Sequence, residues 1–196
     1  MRFSVFGIDF SVYVPFTVTI AFLLIVDKTG LMSASLAAVA VHEAGHIIAM
    51  RALRCLPKEI SLCFGGVSIC GSAYCTFSEN AVIAFSGPFA NFLVFAMLYA
   101  LGLLTDTVTL RSFAVVQLVE GAMNIFPVCG LDGGTLLSVL LGVLNIKRRE
   151  LVLKLVSFTA SLAIFVTGTA VAVKNVSNPS LLLLGIYLII LNVIKS

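Results

Sequence analysis

About six long apolar stretches, separated by short polar segments, take up most of this sequence. The hydrocarbon core of a bilayer is about 30 Å thick, and a helix of roughly 20 apolar residues can cross it. The mean hydropathy is +1.15, 60% of the residues are hydrophobic and only 11% are charged. Soluble domains do not have this composition. The sequence therefore predicts an integral membrane protein.

The predicted spans are helical, and the expected fold class is an all-α membrane protein with about six transmembrane helices. The spans cover residues 10–26, 31–55, 81–104, 113–144, 151–173 and 181–194. The last span would be only about 21 Å long, so whether it crosses fully is open. Because spanning uses so much of the chain, no room is left for a soluble domain of about 50 residues or more. We expect a single membrane-embedded domain over residues 1–196.

The basic residues predict an orientation. With a cytoplasmic N-terminus, all of the 12 lysines and arginines except Lys28, Arg111 and Lys174 fall on the cytoplasmic side. Cytoplasmic loops carry such an excess of positive charge. We therefore expect both termini in the cytoplasm. The compact chain without appended domains favours a bacterial cell membrane.

Residues 57–78, between the second and third spans, have a different character. β-Branched and aromatic residues alternate there, and Gly65, Gly66 and Gly71 punctuate them. This pattern predicts a short β-hairpin. Unpaired strands are not tolerated in lipid, so the hairpin should lie at the membrane surface or inside protein. The N-terminal segment RFSVFGIDFSV is a candidate partner.

The second span contains ionisable groups that lipid would normally exclude. His42, Glu43 and His46 form H-E-x-x-H within VHEAGHIIAM. Helical positions four apart lie on one face about 6 Å apart, so both imidazoles can reach one metal ion. Glu43 can then act on a water molecule as general base. The alternative is a polar patch that hydrogen-bonds across helices, but three ionisable groups this close together in a span favour function.

A catalytic zinc ion usually has three protein ligands, so a third is needed. Among the remaining acids, only Glu120 and Asp132 lie within a predicted span. Asp132 follows a segment in which Pro127 and Gly130 should interrupt the helix. An opened helix at membrane depth is tolerated only where it lines a cavity or is buried in protein. This segment is therefore a candidate site.

The five cysteines contain no CxxC pair, which argues against a zinc ribbon. We expect them to be small buried hydrophobic residues. Cys129 has an alternative role as a thiolate close to the metal. Glu120 lies four residues before Asn124, on the same helical face. Glu120 could contact the metal site, relay protons or simply be hydrogen-bonded.

Four motifs, in this order, resemble those of the site-2 proteases, a family of zinc metalloproteases that cut the transmembrane segments of other proteins. They are H-E-A-G-H at 42–46, the glycine pair at 65–66, S-G-P-F-A-N at 86–91 and N-x-x-P-x-x-x-x-D-G at 124–133. The chain is similar to the small members without PDZ or CBS domain, including the sporulation-type branch. One departure lies before Asp132, where the family's turn is often proline-rich and this chain has Val128-Cys129-Gly130. That difference leaves the rigidity of the loop open.

The resemblance implies a metalloendopeptidase with one Zn²⁺ per chain. His42, His46 and Asp132 would bind the ion, and Glu43 would be the catalytic base. The implied substrate-binding residues are Asn124, Pro127, Asn91, Gly65 and Gly66. Asn91 and Asn124 have the alternative role of packing across helices.

The implied activity is hydrolysis within or near the transmembrane segment of a single-pass membrane protein, as in regulated intramembrane proteolysis. Its partners would be that substrate, the lipid bilayer and a regulatory membrane protein, with no nucleic acid. Two other functions stay open. One is a catalytically idle zinc-binding relative that acts as a partner protein, which the intact Glu43 argues against. The other is a metal transporter, which should carry polar residues on more spans than this chain does.

Overall fold

The computed structural model describes residues 2–5, 8–12, 14–55, 59–63, 66–70, 75–174 and 180–195. Within these ranges lie seven helices: α1 (Val14–Val26), α2 (Leu31–Ala52), α3 (Phe77–Leu104), α4 (Val108–Ile125), α5 (Asp132–Val143), α6 (Arg149–Lys174) and α7 (Ser180–Lys195). Three helices of this described part, α2, α3 and α6, are long and apolar enough to cross a membrane. They support the prediction of a membrane protein.

The predicted number of six helices is wrong. The predicted fourth span, 113–144, is two helices, α4 and α5, because residues 126–131 between them are not helical. Pro127 cannot donate a backbone hydrogen bond, and Gly130 has a φ of 96°, outside the range of an α-helix. The first helix also starts later than predicted, at Val14, because residues 8–12 form a strand.

In the described ranges, four short strands form one sheet in the order β1-β2-β3-β4. They are β1 (Arg2–Val5), β2 (Ile8–Val12), β3 (Glu59–Cys63) and β4 (Gly66–Cys70). β1 and β2 are antiparallel, β2 runs parallel to β3 with Asp9 opposite Glu59, and β3 and β4 are antiparallel with Cys63 opposite Gly66. The N-terminal segment therefore pairs with the strands that follow α2.

Asp27 fixes the start of α2. Its Oδ1 accepts hydrogen bonds from the backbone N–H groups of Thr29 and Gly30, at 3.0 and 2.9 Å. Its Oδ2 accepts from the N–H groups of Met32 and Ser33, at 3.0 and 3.2 Å. The first N–H groups of a helix have no partner within the helix, and the carboxylate supplies one. The helix that carries the histidines thus begins at a defined point.

The chain divides into two compact units. The first comprises Met1–Glu79 and Ser86–Gly121, and the second comprises Asn80–Phe85 and Ala122–Ser196. The first unit carries α2 and its histidines. The second carries residues 126–131, α5, α6 and α7, with a core of Val128, Ile164 and Leu188. The single domain over residues 1–196 stays a prediction.

Candidate metal centre

His42 and His46 lie one turn apart on α2, and both are buried, with 5% and 7% of their surface exposed. Their Nε2 atoms are 3.1 Å apart, and the ring planes are inclined at 84°. Two nitrogens bound to one tetrahedral zinc ion at about 2.0–2.1 Å would lie about 3.3 Å from each other. The pair therefore has nearly the separation that two ligands of one ion require.

Asn91 of α3 determines which nitrogen of His42 is available. The Asn91 Nδ2 group donates to the carbonyl oxygen of Ala38 at 2.9 Å and to Oε1 of Gln117 at 2.7 Å. Because both of these partners are acceptors, the Asn91 Oδ1 atom is the one that faces His42, 2.8 Å from Nδ1. Nδ1 must then donate its proton, which leaves Nε2 with the lone pair that a metal needs.

α3 packs directly against the two imidazoles. A Cβ atom at Gly87 would lie 2.5 Å from His46 Nε2 and 2.8 Å from His42 Nε2. On the facing helix, a Cβ atom at Gly45 would lie 2.5 Å from the carbonyl oxygen of Ser86. The Ser86 hydroxyl is 3.5 Å from His46 Nδ1. The two helices approach closely because both contact positions are glycine.

These contacts give the S-G-P-F-A-N segment a role: Ser86, Gly87 and Asn91 lie directly beside the two imidazoles. The predicted contact of Asn91 with substrate stays a prediction, and its full burial favours the alternative of hydrogen bonding across helices. Sequence reasoning missed Gln117 and Gly87. A glutamine in an apolar helix was a usable signal for Gln117. Nothing in the sequence except the motif pointed to Gly87.

Asp132 is the first residue of α5 in the second unit, and its Oδ2 atom is buried. The position at the start of a helix favours a negative charge. The two glycines that follow allow the chain to fold back on itself. A Cβ atom at Gly133 would overlap the carbonyl oxygen of Ile125, and one at Gly134 would overlap that of Val128.

The other predicted site residues are placed as follows. Glu43 on α2 is half-buried, as are Asn124 in the last turn of α4 and Pro127 in the segment after it. Gly66 is the first residue of β4, and Gly65 lies outside the described residues. The substrate-binding roles of these residues stay predictions.

Glu120 is half-buried on α4, and Cys129 is half-buried in the segment before α5. The roles suggested for them at the metal also stay predictions.

His42 and His46 lie together in the first unit, and Asp132, in the second unit, is the third ligand that the sequence motifs imply. Two imidazoles and one carboxylate are a donor set that suits zinc. Three protein ligands are also the number that a catalytic zinc ion has when its fourth position is left for water or substrate. The residues of this chain therefore fit the ion that the sequence motifs imply.

Neither protein-family models nor curated proteins match the sequence. Among solved structures, the chain is similar to "Site-2 Protease from Methanocaldococcus jannaschii" with a TM-score of 0.69. The sequence identity is 19%, and the match covers 100% of this chain and 94% of that chain. The resemblance that the motifs predicted is supported at the level of architecture: this chain has the fold of that site-2 protease.

Proposed function

We propose that this protein is an intramembrane zinc metalloprotease that hydrolyses a peptide bond within or near the transmembrane segment of a single-pass membrane protein. The observation that carries the proposal is the buried pair of His42 and His46, with Nε2 atoms 3.1 Å apart, beside Glu43 on a helix long enough to cross a membrane. The fold of a site-2 protease supports it.

His42, His46 and Asp132 would hold one zinc ion per chain. When bound, zinc supplies Lewis-acid chemistry, since it polarises a carbonyl group and lowers the pKa of a water molecule. Asn91 keeps the proton of His42 on Nδ1, so that Nε2 is ready as a ligand. Because position 87 is glycine, it places no side chain in the space beside both Nε2 atoms.

Glu43 follows His42 directly and serves as general base. Its carboxylate takes a proton from the attacking water as the new carbon–oxygen bond forms. It then gives that proton to the leaving nitrogen as the carbon–nitrogen bond breaks. The products are a carboxyl group and an amine, so water is the only co-reactant.

A transmembrane helix hides its peptide bonds, because each carbonyl is already paired within the helix. The substrate must therefore unwind locally. We propose that the unwound segment pairs with the edge strand β4, which begins at Gly66, in the way that peptides add to exposed sheet edges. Gly65, Asn124 and Pro127 are the other proposed contacts. Among the strands of the described residues, β4 lies at one edge of the sheet, which supports this proposal.

We further propose that both termini face the cytoplasm of a bacterial cell. In this orientation His46 lies six residues before Ala52, the last residue of α2, which places it about 9 Å from the cytoplasmic end of that helix. The metal would thus lie in the membrane but closer to the cytoplasm. Reporter fusions at each terminus test the orientation. Activity, at either terminus, of a reporter that works only outside the cell would contradict it.

The first experiment is to measure zinc per chain in detergent-purified protein. We expect about one zinc in the wild type and in Asp106→Ala, which removes an exposed carboxylate as a matched control. Asp132→Ala should retain far less. A folded wild type without zinc would refute the proposal.

The second experiment tests the base. Glu43→Gln should keep its zinc and lose cleavage of any substrate that the wild type cuts, while Glu150→Gln, at an exposed position, should keep both. Zinc binding by a wild type that cuts no single-pass protein from the same membrane would favour an idle relative instead.

A further inference from the structure

A buried polar cluster connects α6 and α7 to the segment before Asp132. It consists of the backbone N–H of Cys129 and the side chains of Ser157, Ser161 and Asn192. Both serines have no exposed surface, and Asn192 has 3%. Polar groups buried among apolar helices are costly unless their hydrogen bonds are made. A cluster of this kind therefore needs a structural or functional reason.

The hydrogen bonds of the cluster have one consistent direction. Ser157 donates its hydroxyl proton to Asn192 Oδ1. Asn192 Nδ2 donates to Ser161 Oγ at 2.7 Å and to the carbonyl oxygen of Ser157 at 3.1 Å. Ser161 Oγ donates to that same carbonyl at 2.9 Å. Because the Ser157 proton is committed to Asn192, its oxygen lone pairs are left to accept the Cys129 N–H, at 2.6 Å.

The neighbouring residue makes an apolar contact with the same helix pair. Val128 is fully buried and packs with Ile164 of α6 and Leu188 of α7. Two consecutive residues of the segment are thus held, one by its side chain and the other by its backbone.

α6 and α7, which contact residues 128 and 129, pack closely against each other because glycines lie at their contact positions. A Cβ atom at Gly168 would lie 2.7 Å from the backbone nitrogen of Leu182. One at Gly185 would lie 2.6 Å from Cα of Phe165. The hydrogen-bonded cluster and the apolar contact of Val128 both rest on this pair.

We propose that Ser157 and Asn192 are positioning residues for Asp132. They hold the Cys129 backbone, and only one tight turn, closed by the 3.0 Å bond from Leu131 N–H to the Val128 carbonyl, separates that anchor from the carboxylate. The inference rests on the proposed function, in which Asp132 binds zinc. It also gives Cys129 a role, since its backbone N–H donates to Ser157 and a proline at this position would have no N–H to donate.

The first test needs no metal. Ser157→Ala removes the acceptor of the Cys129 N–H, so the amide hydrogens of the segment 126–131 should exchange at least several-fold faster than in the wild type. Ser161→Ala is the matched control, since it breaks bonds of the cluster and leaves the Cys129–Ser157 bond in place. Thr159→Val, at an exposed position of α6, controls for substitution on that helix. Both controls should exchange at the wild-type rate.

The second test measures zinc affinity by equilibrium competition with a chelator. We expect roughly tenfold weaker binding in Ser157→Ala, a loss typical of removing a group that orients a metal ligand. Asn192→Leu should give a smaller loss, because Ser157 keeps its oxygen but not its fixed orientation. The visible absorption of the Co²⁺-substituted protein should shift in both variants, which a general loss of stability would not cause. Circular dichroism checks that each variant is folded.

The outcomes separate the two proposals. Wild-type exchange in Ser157→Ala, or equally fast exchange in Ser161→Ala, would overturn the anchoring role. Faster exchange with unchanged zinc affinity and Co²⁺ spectrum would overturn the positioning of Asp132 and leave the metalloprotease proposal intact. A folded wild type that binds neither Zn²⁺ nor Co²⁺ would overturn the proposed function and the positioning role together.

Discussion

His42 donates a hydrogen bond of 2.8 Å from Nδ1 to Oδ1 of Asn91, and this bond selects the nitrogen that is left for a metal ion. The orientation of the Asn91 amide depends in turn on Ala38 of α2 and Gln117 of α4. Three helices thus contribute to the orientation of one imidazole. A group that orients a metal ligand in this way raises metal affinity without touching the ion.

Replacement of Asn91 should therefore weaken metal binding. We expect Asn91→Leu to lower the zinc affinity by roughly 10- to 100-fold. Gln117→Leu should cost less, because the Ala38 carbonyl still holds the Asn91 amide. Competition with a chelator measures both losses, and Ser112→Ala, at an exposed position of α4, is the control. Equal affinity in Asn91→Leu and the wild type would show that Asn91 does not orient His42.

Gly87 is a second position where a small change should weaken metal binding. In Gly87→Ala the new methyl group would lie 2.5 Å from His46 Nε2, so the imidazole has to move away from the position it needs. We expect the zinc affinity to fall roughly tenfold or more while the protein stays helical.

Gly102→Ala is the control on the same helix, since its methyl group would meet Cγ of the Arg111 side chain at 2.8 Å, far from the histidines. Competition with a chelator measures the zinc affinity of both variants, and circular dichroism measures their helicity. A wild-type zinc affinity in Gly87→Ala would mean that the close approach of α3 has no bearing on the site.

Some of this site was predictable from sequence, and the reason is local geometry. His42 and His46 are four residues apart, and helical periodicity alone puts them on one face. Pro127 and Gly130 do not fit a continuous helix, and an interrupted helix within a span indicates a candidate site next to Asp132. The same two residues should have indicated two helices in the predicted fourth span.

The other contacts of the site depend on which helices and strands are neighbours in the fold. A local sequence pattern does not contain this information. Gln117 is distant in sequence from Asn91, and Asn192 is distant from Cys129. Their roles follow from the packing of α4 on α3 and of α7 on α6. The parallel pairing of β2 with β3 likewise needed the structure, although the N-terminal segment was a candidate partner.

Gly133 should tolerate no side chain. A Cβ atom there would overlap the carbonyl oxygens of both Ile125 and Phe126, and these are backbone atoms that cannot rotate away. Overpacking of this kind costs about 1–3 kcal/mol or more of unfolding free energy. We expect Gly133→Ala to lower the thermal midpoint in detergent. Thr135→Ala, at an exposed position nearby, should leave it unchanged, and an unchanged midpoint in Gly133→Ala would contradict the tight turn.

Cys55, just beyond α2, should be an unreactive thiol. A hydrogen bond with Cys75, together with burial and the nearby negative charges of Cys75 and Glu79, raises the pKa of Cys55 to about 11. Very little thiolate is present at pH 8, so alkylation should be slow and should speed up only towards pH 11. In Cys75→Ala the pKa should move towards the ordinary value of 9.0. The measurement is the pH profile of alkylation at Cys55, in protein whose Cys63, Cys70 and Cys129 are replaced by serine. Identical Cys55 profiles with and without Cys75 would refute the contact.

The start of α2 should depend on the charge of Asp27. Burial acts to raise the pKa of this carboxyl group, but hydrogen bonds from the N–H groups of Ser33, Thr29 and Gly30 and from the Thr29 hydroxyl outweigh it and lower the pKa below its ordinary value of 3.8. A lowered pKa in the folded state means that the stabilisation is present above the unfolded-state pKa and is lost as the pH falls through the folded-state value.

We therefore expect Asp27→Asn to lower the thermal midpoint at pH 7, and the difference from the wild type to shrink as the pH falls below about 4. Asp106→Asn, at an exposed carboxylate outside α2, is the control for a general loss of charge. Thermal unfolding in detergent between pH 7 and pH 3 gives the comparison. A difference that stays constant over this range would mean that the Asp27 charge does not stabilise the N-terminus of the helix that carries His42 and His46.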